Sequence, residues 1–191
     1  MKKENASTLK RRQPLYLPGD QSLLMPTVQR KPVFHLICGL PGSGKTTLAK
    51  QIAETTGAIR FCPDDWIKMI WRENAESSGN QYRDQVEQMQ WQMAVQLLNH
   101  SIDVIIEWGT WGRSEREKLR DDAKAAGATV SFYFLNPPQK ILRERLLKRN
   151  LQADPNEFSI PAGDIDAFLT GCFNSLQVPT QDELLTYDCV G

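Results

Sequence analysis

Histidine is nearly absent from this sequence, which has only His35 and His100, and its four cysteines (Cys38, Cys62, Cys172, Cys189) show no Cys-x-x-Cys spacing. A zinc centre has too few ligands to assemble, and the cysteines read as reduced thiols rather than as a disulfide framework. Long apolar runs are also missing. Val33–Cys38 and Val104–Ile106 fall far short of the roughly 18 residues needed to span a bilayer, so no transmembrane helix and no membrane partner are expected. The start, Met1-Lys2-Lys3-Glu4-Asn5, leads into no apolar stretch of signal-peptide type, and a cytoplasmic address follows. Net charge is absent as well: 23 basic residues balance 23 acidic ones, so composition alone makes no case for a nucleic-acid binder.

What is present fits one α/β domain with a single core. Of the 191 residues, 40% are hydrophobic and 24% charged, too apolar for a disordered chain, while the length is too small for two full domains. The charge is unevenly spread. Residues 1–31 hold seven basic and two acidic side chains, a local excess of +5 that leaves −5 for the remainder. With Pro14, Pro18 and Pro26 and no sustained apolar period, 1–31 reads as an extended basic leader, and 32–191 as the folded domain.

From Val33 onward, short apolar runs alternate with longer amphipathic stretches, the signature of β-α units and a mainly parallel sheet of about five strands. Strands are expected at Val33–Cys38, Ala58–Cys62, Asp103–Glu107 and Thr129–Leu135, with a weaker one at Leu184–Cys189. Residues 74–80 read as a loop. The clearest helix runs from Tyr82 to Asn99, where Tyr82, Val86, Met89, Met93 and Leu97 suggest a core stripe. A second covers Arg113–Ala126, stopped by Gly127, and a third begins after Pro137-Pro138 and ends near Asn150.

Gly39-Leu40-Pro41-Gly42-Ser43-Gly44-Lys45-Thr46 matches G-x-x-x-x-G-K-[ST] in full, directly after a strand and before a helix. Glycines let successive backbone N–H groups turn toward phosphate oxygens, the helix start adds its positive end, and Lys45 reaches the β and γ oxygens. Thr46 supplies a hydroxyl to magnesium. Gly39, Pro41, Gly42, Ser43, Gly44, Lys45, Thr46 and Thr47 are thus the expected nucleotide-binding residues. No Asn-Lys-x-Asp guanine reader exists, which favours ATP, and the short remainder after the fourth strand disfavours a motor with a second helical domain.

In an open parallel sheet the ligand lies beyond the carboxyl ends of the strands. There the sequence places Asp64 and Asp65, either a general base or a cap of the following helix, and Glu107, suited to hold magnesium through its water shell. Trp66, Trp71, Trp108 and Trp111 follow the same strands and could surround one cleft, stacking a flat or sugar-like molecule or simply packing the loops. Arg145 and Arg149, four apart on one helical face, can fold over phosphates as a lid. Arg113, Arg116 and Arg120 share another face, salt-laced at Arg120.

Together with Asp64-Asp65-Trp66, Glu107-Trp108-Gly109-x-Trp111, Arg145-x-x-x-Arg149-Asn150 and the tail Phe158-x-Ile160, Phe173 and Pro179-Thr180-x-x-Glu183-Leu184, the phosphate loop makes residues 33–188 resemble the P-loop kinases related to polynucleotide kinase. Small bacterial ATP-binding proteins belong to that group, and zeta toxins and chloramphenicol phosphotransferase are more distantly similar. The resemblance implies the P-loop NTPase fold and transfer of the ATP γ-phosphoryl group to a hydroxyl-bearing acceptor. It puts Asp64 at the general base, Arg149 against the transferring phosphates as a third catalytic residue beside Lys45, and Arg145 near the adenine. Polynucleotide kinase usually has aspartate where this chain has Glu107, a departure that sets a small-molecule or nucleotide acceptor ahead of a nucleic-acid 5′ end. A nucleotide-binding switch with slow hydrolysis is the alternative from a different class.

Overall fold

The computed structural model describes residues 30–71, 80–152 and 160–191. The leader before Arg30 and most of the expected loop at 74–80 lie outside these residues. Five strands alternate with helices: β1 (Val33–Gly39), α1 (Lys45–Thr56), β2 (Ile59–Phe61), α2 (Pro63–Trp71), α3 (Arg83–Asn99), β3 (Val104–Ile106), α4 (Arg113–Ala125), β4 (Thr129–Leu135), α5 (Gln139–Gln152), α6 (Ile165–Ser175), α7 (Gln181–Leu184) and β5 (Cys189–Val190). A 3-10 turn, Asn80–Tyr82, leads into α3.

The sheet order is β2-β3-β1-β4-β5, and every pairing is parallel. β1 lies at the centre, with Phe34 opposite Val104 on one side and Val130 on the other. Its start is pinned by the buried Asp103, which accepts the Val33 N–H at 2.8 Å and pairs with Arg30 at 2.7 Å.

Because side chains alternate along a strand, β1 feeds two cores. Phe34, Leu36 and Cys38 pack with Ala94 and Leu98 of α3 and with Leu119 and Ala123 of α4. Ile37 packs on the opposite face with Ala49 and Ile52 of α1. A third cluster joins Leu40 of the phosphate loop to Leu142 and Leu146 of α5 and to Ile165 and Leu169 of α6.

Two sequence expectations are corrected here. The last strand is not Leu184–Cys189: residues 181–184 form α7, and only Cys189–Val190 pair with β4. The expected core stripe of α3 holds only in part: Val86 is buried and Leu97 packs on the core, while Tyr82, Met89 and Met93 are exposed, Met89 by 56%. The fully buried face runs through Val86, Gln90, Ala94 and Leu98, a strict four-residue spacing. Gln90 can be buried because both ends of its amide are satisfied: Nε2 donates to the Cys62 carbonyl at 3.1 Å, and Oε1 accepts from Trp108 Nε1 at 2.9 Å.

Candidate active site

The strand order reverses at β1, and the loops after β1, β2 and β3 meet in one cleft of about 2130 Å³. Its floor is the phosphate loop. A Cβ on Gly39 would lie 2.6 Å from the Leu135 carbonyl and 2.7 Å from Ser43 Oγ, so no larger residue fits. Gly44, at φ +106, turns the chain into α1 in a conformation that side chains rarely adopt. Ser43 donates its N–H to the Leu40 carbonyl at 3.0 Å, and its buried Oγ has no partner among the described residues.

Lys45, the first residue of α1, donates from Nζ to the Leu40 carbonyl at 3.1 Å. Burial pushes its ammonium below the usual lysine range, with Asp64 the strongest opposing influence. A phosphate in the loop would therefore meet a lysine whose present neighbours only partly compensate its desolvation. Thr46 and Thr47 are exposed in the first turn of α1, and both line the cleft with Pro41, Gly42 and Ser43.

α5 covers the loop from the side. Leu142 and Leu146 are buried against Leu40, so Arg145 and Arg149, three residues along from each, fall on the neighbouring stripe facing the cleft. Arg145 Nη1 donates to the carbonyls of Gly42 and Ser43 at 3.2 and 3.0 Å. Arg149 lines the same cleft and helps depress Lys45.

Opposite stand the carboxylates. α2 begins at Pro63, so Asp64 and Asp65 occupy its first turn, favourable for acids at the positive end of a helix, rather than a cap before Trp66. The two point to different partners. Asp64 forms an ion pair with Arg83, which also approaches Glu87 at 3.5 Å. Asp65 pairs with Arg60, and Arg60 also holds Glu107 Oε1. Glu107 is buried, and its Oε2 has no hydrogen-bond partner among the described residues.

Among the described residues no group of three or more histidine, cysteine or acidic side chains is arranged to hold a metal ion. A cation here would draw most of its ligands from phosphate oxygens and water, with Thr46 and Glu107 as protein contacts, which suits a hard oxygen-seeking ion.

Of the four tryptophans expected around one cleft, two line it. Trp108 and Trp111 do, while Trp66 packs on Phe61 and Trp71 stacks on Tyr82. Trp111 donates its indole N–H to the Gly39 carbonyl at 3.1 Å, tying the turn after β3 to the phosphate loop.

Several site residues escaped the sequence reading: Arg60, Arg83, Glu87, Thr110 and Glu115, all on the cleft wall. Thr110 is left-handed at φ +46, costly for a β-branched residue, and its buried hydroxyl has no partner among the described residues. The only sequence hint was its place in the Glu107–Trp111 turn. Arg116, read as one of a cationic trio, is fully buried against Glu183. The trio does share a face, which packs on the C-terminal segment: Arg113 reaches Asp182 and Arg120 reaches Thr186.

Among solved structures, the fold is similar to a chain of the PezAT chromosomal toxin–antitoxin system of Streptococcus pneumoniae, with a TM-score of 0.62 and 17% identity over 84% of this chain and 67% of that one. It is also similar to a chain of the Pnkp1/Rnl/Hen1 RNA repair complex (TM-score 0.60, 24% identity, 78% and 47% covered) and to a sugar kinase from Janibacter (0.54, 19%, 84% and 84%). At these identities the likeness is one of fold. A stretch of 33 residues is 58% identical to the adenylate kinase isoenzyme 6 homologue of Schizosaccharomyces pombe, covering 17% of this chain and 19% of that protein's length. The profile of the AAA domain family matches residues 34–172, well over half of the sequence. With its phosphate loop, parallel sheet and kinase-like fold, the chain belongs to that AAA domain family of P-loop proteins.

Proposed function

We propose that this chain is an ATP-dependent kinase that transfers the γ-phosphoryl group to a hydroxyl of a small-molecule or nucleotide acceptor. The observation that carries this reading is the placement of Asp64 across the cleft from Lys45, on a separate element from the phosphate loop and held by Arg83.

In this reading the loop N–H groups and Lys45 grip the β and γ phosphates. Asp64 takes the proton from the acceptor hydroxyl as its oxygen bonds to the γ phosphorus, the bond to the β-phosphate oxygen breaks, and ADP leaves. Arg149 offsets charge that develops on the transferring group, and Arg145 flanks the adenine side. Magnesium, when bound, would neutralise charge on the phosphates; Thr46 and Glu107 are the residues that would hold it and its water. Most of the rate would come from positioning.

The test is ADP release from the full chain with ATP and magnesium, measured across a panel of sugars, nucleosides, nucleotides and 5′-hydroxyl oligonucleotides. A kinase shows release that depends on one acceptor class. Slow release that no acceptor changes would identify a nucleotide-binding switch instead.

A further inference from the structure

We infer that Arg60 is the positioning residue of the cation site: it clamps Glu107 by one carboxylate oxygen and so reserves the other, Oε2, for a water held by magnesium. The inference rests on the magnesium placement in the reading above, not on transfer to an acceptor.

The clamp is built by the sheet. In the β2–β3 ladder Arg60 lies opposite Ile105, which packs with Ile37, Ala49 and Ile52 on the face that α1 covers. Side chains alternate along a strand, so Glu107, two residues past Ile105, falls on that same face, and its N–H donates to the Phe61 carbonyl at 3.3 Å. The first turn of α1 on this face carries Thr46. Arg60 spends two separate nitrogens: Nη1 donates to Glu107 Oε1 and Nη2 to Asp65 Oδ2. One planar guanidinium therefore joins the end of β3 to the first turn of α2.

What the clamp leaves undone points to the ligand. The Glu107 side chain is 1% exposed, yet Oε2 has no hydrogen-bond partner among the described residues, a costly state for a carboxylate. Arg60, Asp65 and Glu107 all line the cleft, so a group bound there is the natural source of the missing donor. Two carboxylates share this one guanidinium, and the surplus negative charge favours a donor that carries positive charge. Water on a divalent cation meets both needs. Glutamate has one more rotatable bond than aspartate, and Arg60 removes that freedom by fixing Oε1, as the outer partners of metal-site ligands do.

The test uses the full chain with ATP and magnesium chloride, binding being read by tryptophan fluorescence because Trp108 and Trp111 line the cleft. ATP affinity is measured in EDTA and again at rising Mg²⁺, and the Mg²⁺ concentration giving half-maximal tightening is compared. Arg60→Lys keeps the charge but lacks the planar fork, so it should raise that concentration about tenfold or more, with ATP affinity in EDTA changed less than about twofold. Glu107→Gln should raise it too, and Arg60→Lys added to Glu107→Gln should contribute less than about a further twofold, since the pair acts as one unit. Arg60→Gln, whose amide can still donate to Oε1 without the charge, should also raise it and keeps the test open if Arg60→Lys folds poorly. Unchanged Mg²⁺ dependence in both Arg60 variants, an equal loss of affinity in EDTA, or full additivity with Glu107→Gln overturns the inference. Should Glu107→Gln leave the Mg²⁺ dependence unchanged as well, the magnesium placement falls with it. ADP release that no acceptor stimulates, beside the expected Mg²⁺ shifts, removes the kinase reading and leaves the clamp standing.

Discussion

Arg116 and Glu183 form a two-pronged ion pair with both side chains fully withdrawn from solvent, Nε to Oε1 at 2.6 Å and Nη2 to Oε2 at 2.8 Å. The remaining nitrogen, Nη1, donates to the carbonyls of Thr110 and Trp111 at 3.1 and 2.9 Å. One guanidinium thus fixes the turn after β3, which carries the cleft's aromatic wall, onto α7. Removing one partner strands the other charge in the core, so Arg116→Ala should cost about 3–5 kcal/mol in urea unfolding. Arg116→Met with Glu183→Leu should recover most of that stability. The Thr110 and Trp111 carbonyls would still lack their donor, so turnover should stay low in the double variant even where the fold returns.

Lys45→Ala should abolish productive ATP use while leaving the backbone cradle in place, because Lys45 is the loop's own side-chain cation. Nucleotide affinity and steady-state turnover, measured side by side, check this; unchanged turnover would remove the cradle assignment.

Asp64→Asn should lower phosphoryl transfer by about 10² to 10⁴-fold with ATP binding retained. Asp65→Asn should be milder, since Asp65 is committed to Arg60 on another wall of the cleft. Both variants are compared by acceptor-dependent ADP release and melting temperature. Inactivity of the Asp65 variant alone would move the base to the other carboxylate.

The contribution of Glu87 to stability should be lost as pH rises from about 4.5 to about 7. In that window the folded chain keeps a proton on Glu87, lifted to about 7 chiefly by burial, while the unfolded chain has released it. Glu87→Gln should flatten the profile and stabilise the protein at pH 8 by at most about 3 kcal/mol. Glu115, raised as well, adds a slope of the same sign, and His35, lowered chiefly by burial, one of the opposite sign. Chemical denaturation at pH 5 and pH 8 measures both effects.

The residues that announced themselves were those whose chemistry is local. The phosphate loop is a contiguous run, and Gly127 lies at φ +83 just past α4, as a helix stop should. Four strands appeared where apolar runs predicted them. Pairings between distant segments were hidden. Arg60 holds Glu107 from 47 residues away, and Arg116 meets Glu183 from 67 away, separations that no periodicity records. The buried face of α3 was legible only at Val86 and Leu97, because a satisfied glutamine sits in it, while the exposed methionines imitate a core stripe. β5 is two residues long, and what passed for its apolar start is α7.

The central position of β1 also bears on how the protein is made. During synthesis this strand emerges before either neighbour, and its pairings wait until Val104 and Val130 have left the ribosome. Until then an apolar segment with two open edges and a glycine-rich tail has nothing to pair with, the kind of stretch that chaperones shield and that neighbouring nascent chains can capture. Folding should therefore be slow relative to a helical protein of this size, and completion of the phosphate loop should come late, after Leu135 is in place to close against Gly39.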